Sequence, residues 1–140
     1  MAAERLFETF AAHHDSAELL DALATGVVLL DAGLHVLHAN MAAQGFMAIG
    51  LNQARGKPFT ELFADTNGLQ GLLTRALEYG EAFSEFELSL RPADTPREPQ
   101  LVDLSITRID FSSGQKRLLL EMIDAEIGRA SCRERVYVLV

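Results

Sequence analysis

The chain has 140 residues, 49% of them apolar and 23% charged, with 12 basic and 20 acidic residues for a formal charge of −8. That is the size and balance of one soluble globular domain. An acidic surface repels phosphate backbones, so nucleic acid is not an expected partner. The longest apolar runs, such as residues 27–30 and 118–120, are far too short to span a bilayer. Glu4, Arg5 and Glu8 interrupt the stretch that a secretory signal would need. The single cysteine, Cys132, can neither close an internal disulfide nor build a thiolate metal site alone. These features point to a cytoplasmic protein that engages neither membrane nor nucleic acid.

In chain order, residues 3–14 place Leu6, Phe7 and Phe10 at i, i+1 and i+4 among Glu4, Glu8 and His13, the spacing of a short amphipathic helix. A helix of this length is marginal in water, so its stripe predicts packing on this domain or on a second copy. Asp15 and Glu18 are spaced as a capping box, Leu19, Leu20 and Leu23 supply an apolar face, and Gly26 reads as the helix stop. Residues 27–30 and 35–39 predict two strands joined by the turn Asp31-Ala-Gly33. Asn40 is placed to cap a helix carrying Met41, Ala42, Ala43, Phe46 and Met47, with Gly50 as its end. After the break at Gly56-Lys-Pro58, residues 60–63 form a helical turn. A longer helix with Leu69, Leu72, Leu73, Ala76 and Leu77 on one side stops at Gly80. Residues 83–90, 101–109 and 117–123 read as three strands, separated by a proline-rich loop and the turn Ser112-Ser-Gly114. The expected fold is α+β: a five-stranded antiparallel sheet with helices over one face and an N-terminal amphipathic helix.

From Glu126 onward the texture changes. The segment IGRASCRERV holds three of the twelve basic residues and the only cysteine, with no helical or strand periodicity. The codons ATC GGA AGA GCG TCG TGT AGG GAA AGA GTG encode residues 127–136 in order, and that string looks like a sequencing adapter. Residues 126–140 are therefore expected to be a non-native tail, leaving residues 1–14 as the N-terminal helix and 15–125 as the domain. Setting aside residues 127–140, with their three Arg and one Glu, moves the charge from −8 to −10 and removes the cysteine.

The remaining polar residues do not assemble into a catalytic or metal pattern. Gly50 and Gly56 have five residues between them, where a phosphate loop needs four, and Pro58 stands where that loop needs Ser or Thr. His13 and His14 diverge by about 100° on a helix. His35 and His38, three apart on a strand, take opposite faces. His38 is the inward-facing candidate, either as a polar wall of a core cavity or as a hydrogen-bonded core histidine.

The run Leu29-Leu-Asp31 followed by Val36-Leu-His-Ala-Asn40-Met-Ala-Ala43 resembles the PAS family, whose familiar stretch is an Asp, a Gly-containing turn, a strand and an Asn before small residues. Gly56-Lys-Pro-Phe-Thr-Glu-Leu-Phe63 is similar to the segment opening the later PAS helices, and the likeness spans about residues 16–125. Together with Leu118-Leu-Leu-Glu-Met122 and the N-terminal helix, these phrases resemble the sensory domain of nitrogen-regulation sensor histidine kinases. The resemblance implies a cytoplasmic homodimer placed before phosphoacceptor and ATP-binding domains. The whole protein would then engage a response regulator and a PII signalling protein. No phosphoacceptor box or ATP lid occurs in these 140 residues, so no catalytic role is expected here. No cofactor is expected either: residues 1–126 lack the cysteine of flavin photosensors, and residues 60–80 lack the histidine of haem sensors. Asp31, Gly33 and Asn40 are expected to be structural, as turn carboxylate, permissive turn residue and helix cap. Relay of a signal through the Leu6, Phe7 and Phe10 helix is the first functional expectation. The alternative is a small-molecule sensor of another bacterial regulator, a cyclase or transcription factor, with a pocket lined by His38, Phe46, Met47, Leu62 and Leu72. Against it stands a core that those side chains fill completely.

Overall fold

In the computed structural model, β1 (Gly26–Leu30) and β2 (Val36–Ala39) form the expected hairpin. The structure describes residues 15–126 apart from Asp65, Asn67 and Glu81. The expected helix over residues 3–14 and the tail from Ile127 lie outside them. β3 (Phe83–Leu90), β4 (Gln100–Asp110) and β5 (Lys116–Asp124) complete one antiparallel sheet in the order β2-β1-β5-β4-β3. α1 (Asp15–Asp21) precedes the hairpin. Between β2 and β3 lie α2 (Met41–Met47), α3 (Leu51–Ala54), a 3-10 turn (Phe59–Leu62) and α4 (Leu69–Tyr79). The architecture is the PAS-like α+β sheet that the element order implies.

Strand alternation builds the core. Val28 and Leu30 of β1, Leu118, Leu120 and Met122 of β5, and Val102, Leu104 and Ile106 of β4 are all buried on one face. They meet Met47, Phe59, Leu62, Leu69, Leu73 and Ala76 from the helical insertion. Each large side chain so buried contributes roughly 1.5–3 kcal/mol. The insertion is also stitched to both ends of the sheet. On the β2 edge, Val36 N donates to Lys57 O at 2.9 Å and Gly56 N to Val36 O at 2.8 Å. Beyond β3, Ala64 N donates to Arg91 O at 2.8 Å and Ala93 N to Leu62 O at 2.9 Å. These bonds occupy backbone groups that would otherwise be open for pairing with another chain.

Three local expectations are corrected. α1 ends at Asp21, and Gly26 opens β1 instead of stopping a helix. A Cβ on Gly26 would lie 3.1 Å from Ala43 Cα, so the glycine lets β1 approach α2. α2 closes on Ala48 in a left-handed conformation (φ 53°), and Gly50 begins the unforeseen α3. Gln44 makes that restart possible: its amide donates to Ala39 O at 3.0 Å while its carbonyl accepts from Leu51 N at 3.2 Å. In β3 a bulge between Glu85 and Leu88 breaks the simple alternation. Glu87 takes φ 56° there, its N–H donates to Asp103 Oδ1 at 2.9 Å, and Phe86 is left 72% exposed.

At the far end of α4, Gly80 does act as the helix stop, with φ 68°. Arg108 of β4 donates to Leu77 O at 3.0 Å and is held by Asp110, tying the helix end to the sheet. Its guanidinium lies against Gly80, where any Cβ would collide with it. Gly80→Ala is therefore expected to cost about 2 kcal/mol, from left-handed strain plus the displaced guanidinium. Urea denaturation checks it, and an unchanged midpoint would contradict the account.

Candidate functional site

The point that joins α1 to the rest of the domain is Asn40. Its backbone is extended (φ −75°, ψ 176°), as an N-cap requires, and its side chain is fully buried. Oδ1 accepts from Ala43 N at 3.0 Å, capping α2, and from Val27 N at 2.8 Å, fixing β1. Nδ2 donates to Leu20 O at 2.7 Å and Thr25 O at 2.9 Å, the end of α1 and the strap after it. The four hydrogen bonds fill the capacity of one amide. Asp21 adds a second tie, its Oδ1 accepting from Met41 N at 2.9 Å. The end of α1 is thereby tied to the helical insertion by Asn40 and Asp21, and of the two Asn40 alone also bonds β1.

The hairpin turn is built by Asp31, whose Oδ1 accepts from Gly33 N and His35 N, both at 2.9 Å, with His35 Nδ1 at 3.3 Å. Gly33 differs from expectation. Its φ is not positive, and the left-handed residue of this turn is Leu34 (φ 67°). Gly33 is needed for space instead, because a Cβ would lie 2.8 Å from the His35 ring.

Outside the sheet, α1 and the strands enclose an apolar groove of about 510 Å³. Ala17 and Leu20 of α1, with Leu23 just beyond it, form one wall, and Val27, Leu29 and Leu119 the floor. His38 and Glu121 are the titratable side chains lining it. The inward placement expected for His38 is thus corrected. Val28 pairs with Ala39, both fully buried on the core face, so Leu29 and its partner His38 face outward. The irregularity between Leu29 and Leu30 shifts the register, and parity counted from Val36 fails across it. His38 Nε2 is shielded from water and has no hydrogen-bond partner among the described residues.

The other candidate pocket residues lie across the sheet from His38. Met47 and Leu62 belong to the core, while Phe46 and Leu72 are half-buried against it. Met47 and Leu62 also border a cleft of about 90 Å³ with Gln53, Asp94 and Thr95. That is well below the roughly 300–1,000 Å³ of a small-molecule site. Among the described residues no group of three or more His, Cys, Asp or Glu is placed to hold a metal, and no helix is long and apolar enough to cross a membrane. The groove has a sequence signal that alternation alone passes over. Unbroken runs at residues 27–30 and 118–120 put apolar side chains on both faces of β1 and β5.

Residues 20–125 match the family model described as the PAS fold. The chain belongs to the PAS family. This PAS domain is 32% identical over 76 residues to the sensory histidine kinase/phosphatase NtrB of Klebsiella oxytoca, a stretch covering 54% of this chain and 22% of that protein. It therefore spans about a fifth of the kinase. Among solved structures, the PAS domain of nitrogen regulation protein NR(II) from Vibrio parahaemolyticus superposes with a TM-score of 0.63 at 20% identity, covering 78% of this chain and 96% of that one. A PAS domain from Colwellia psychrerythraea gives 0.66 at 16% identity, covering 81% and 96%. At those identities the two structures establish the fold. For this PAS domain the groove and the Asn40 junction are the candidate site.

Proposed function

We propose that this PAS domain is the N-terminal sensory and dimerisation module of a cytoplasmic nitrogen-regulation sensor histidine kinase. It works through protein contacts, relaying a signal to catalytic regions elsewhere in the parent protein. The observation that carries the reading is the apolar groove outside the sheet, walled by α1 and coupled to the core through Asn40. An exposed apolar surface of this kind marks an interaction site, and the 32% identity to NtrB supports the kinase setting. Asp31 and Asn40 serve as structural posts, and the response regulator and PII signalling protein are partners of the parent. No residue of this domain is assigned a catalytic role, cofactor or metal.

In this reading the stripe Leu6, Phe7 and Phe10 contributes to a homodimer. The double variant Leu6→Glu with Phe10→Glu is expected to halve the mass measured by light scattering while circular dichroism stays that of a folded domain. An unchanged dimeric mass would overturn the assignment.

A further inference from the structure

The β1–β2 and β4–β5 turns stand side by side and leave between them an open pocket of about 430 Å³, bordered by Asp31, Leu37, Gly114, Lys116 and Arg117. Its size falls within the roughly 300–1,000 Å³ of small-molecule sites, and it shares no residue with the groove or the Asn40 junction. Pairing of β1 with β5 ends at Leu30 and Leu118, so Asp31 and Arg117 come next on adjoining strands. A carboxylate and a guanidinium so placed ordinarily pair. Among the described residues these two do not. Asp31 Oδ1 is committed to Gly33 N and His35 N, both at 2.9 Å, and its one ion-pair contact is His35 at 3.3 Å. The Arg117 guanidinium lies over the Phe111 ring, 4.8 Å from its centroid, and donates to Gln115 Oε1 at 3.4 Å. Each charge is thus fixed by its own neighbours, and the Asp31 side chain is still 40% exposed.

We propose that this pocket binds a free α-amino acid, with its carboxylate on Arg117 and Lys116 and its ammonium on Asp31. Charges of both signs border one small space, and that selects the ligand. A plain anion would face the Asp31 carboxylate, and a plain amine would face two cations. A zwitterion satisfies both sides. The planar guanidinium suits a carboxylate in particular, since its two parallel N–H groups match the two oxygens. Because ring and turn already hold the opposite charges in place, little ordering is left for binding to supply. Gly114, at φ 88°, has open space where a Cβ would stand, which keeps the mouth clear. Leu37 offers an apolar wall to an aliphatic side chain of the ligand. The site is independent of the dimer reading above, and failure of either leaves the other intact.

The test is an amide NMR titration of the full chain with L-leucine. N-acetyl-L-leucine, which lacks the ammonium, and 3-methylbutylamine, which lacks the carboxylate, serve as the comparison ligands. L-leucine is expected to shift the amides of Gly33, Gly114 and Arg117 saturably. Each comparison ligand is expected to bind about tenfold more weakly, for the loss of one charge-assisted contact. Shifts that do not saturate, equal binding of all three, or saturable shifts confined to groove or core amides would each overturn the proposal. Two variants then assign the charges. Asp31→Asn keeps an oxygen for the Gly33 and His35 amides, so the turn persists, and it is expected to bind N-acetyl-L-leucine as well as L-leucine. A preference for L-leucine that survives this substitution would show that the ammonium is not on Asp31. Arg117→Gln is expected to weaken L-leucine about tenfold, and unchanged affinity would remove the carboxylate from Arg117.

Discussion

Asn40→Ala is expected to lower the free energy of unfolding by about 3–5 kcal/mol, because one truncation strips partners from several buried backbone groups. Val27 N and Ala43 N lose their acceptor, and the carbonyls of Leu20 and Thr25 lose their donor. Asn40→Asp dissects the junction. The carboxylate still accepts from Ala43 N and Val27 N, and a negative charge suits the start of α2. Its second oxygen, however, faces the carbonyls of Leu20 and Thr25, where two acceptors repel. The variant is therefore expected to keep α2 capped and release α1. Hydrogen exchange should show faster exchange at amides of residues 18–23, with protection in β1, β4 and β5 retained. Uniform loss across the domain, or α1 amides as protected as before, would contradict the division of labour assigned to the two ends of this amide.

The capping half of that junction is legible in the sequence. Asn40 precedes a run of small and apolar residues, and its own side chain supplies the cap, so the interaction is local. The other half joins Asn40 to Leu20 and Thr25, whose distance along the chain leaves no periodic trace. The core follows the same rule. The alternation of Val102, Leu104 and Ile106 identifies the inner face of β4 directly, since no irregularity interrupts its pairing with β5.

What is not legible concentrates at breaks in register. Counting by twos from Val36 puts His38 in the core, and a shift beside Leu30 puts it outside. Counting through β3 likewise fails at Glu87, where a left-handed residue inserts a bulge. Non-glycine residues carry the left-handed conformation at Leu34, Ala48 and Glu87, positions where composition gives no warning. Conversely Gly33, in the residue order of a permissive turn, is there because the His35 ring passes close by. Side-chain proximity across a turn, unlike backbone propensity, has no one-residue signature.

Phe59→Ala should be the most damaging single truncation in the helical insertion, and it also tests how completely the interior is filled. Phe59 is fully buried and meets Phe63 edge-on with ring centroids 5.3 Å apart, and its N–H donates to Leu34 O at 3.0 Å. Deleting the ring removes its transfer free energy and leaves a void that the neighbours close only in part, a loss of about 3–5 kcal/mol by denaturant unfolding. The backbone bond to Leu34 survives the substitution, so the 3-10 turn stays in place and the hole persists. Its walls include aliphatic and aromatic side chains of the core, and an apolar hole of this kind stays dry and admits small apolar molecules. Benzene is accordingly expected to raise the thermal midpoint of the Phe59→Ala protein and leave the parent chain unchanged. Equal stabilisation of both proteins would mean that the parent already holds a ligand-sized space beneath the sheet. In that case the small-molecule reading, with Phe46, Met47, Leu62 and Leu72 around the ligand, would displace dimer contacts as the basis of sensing.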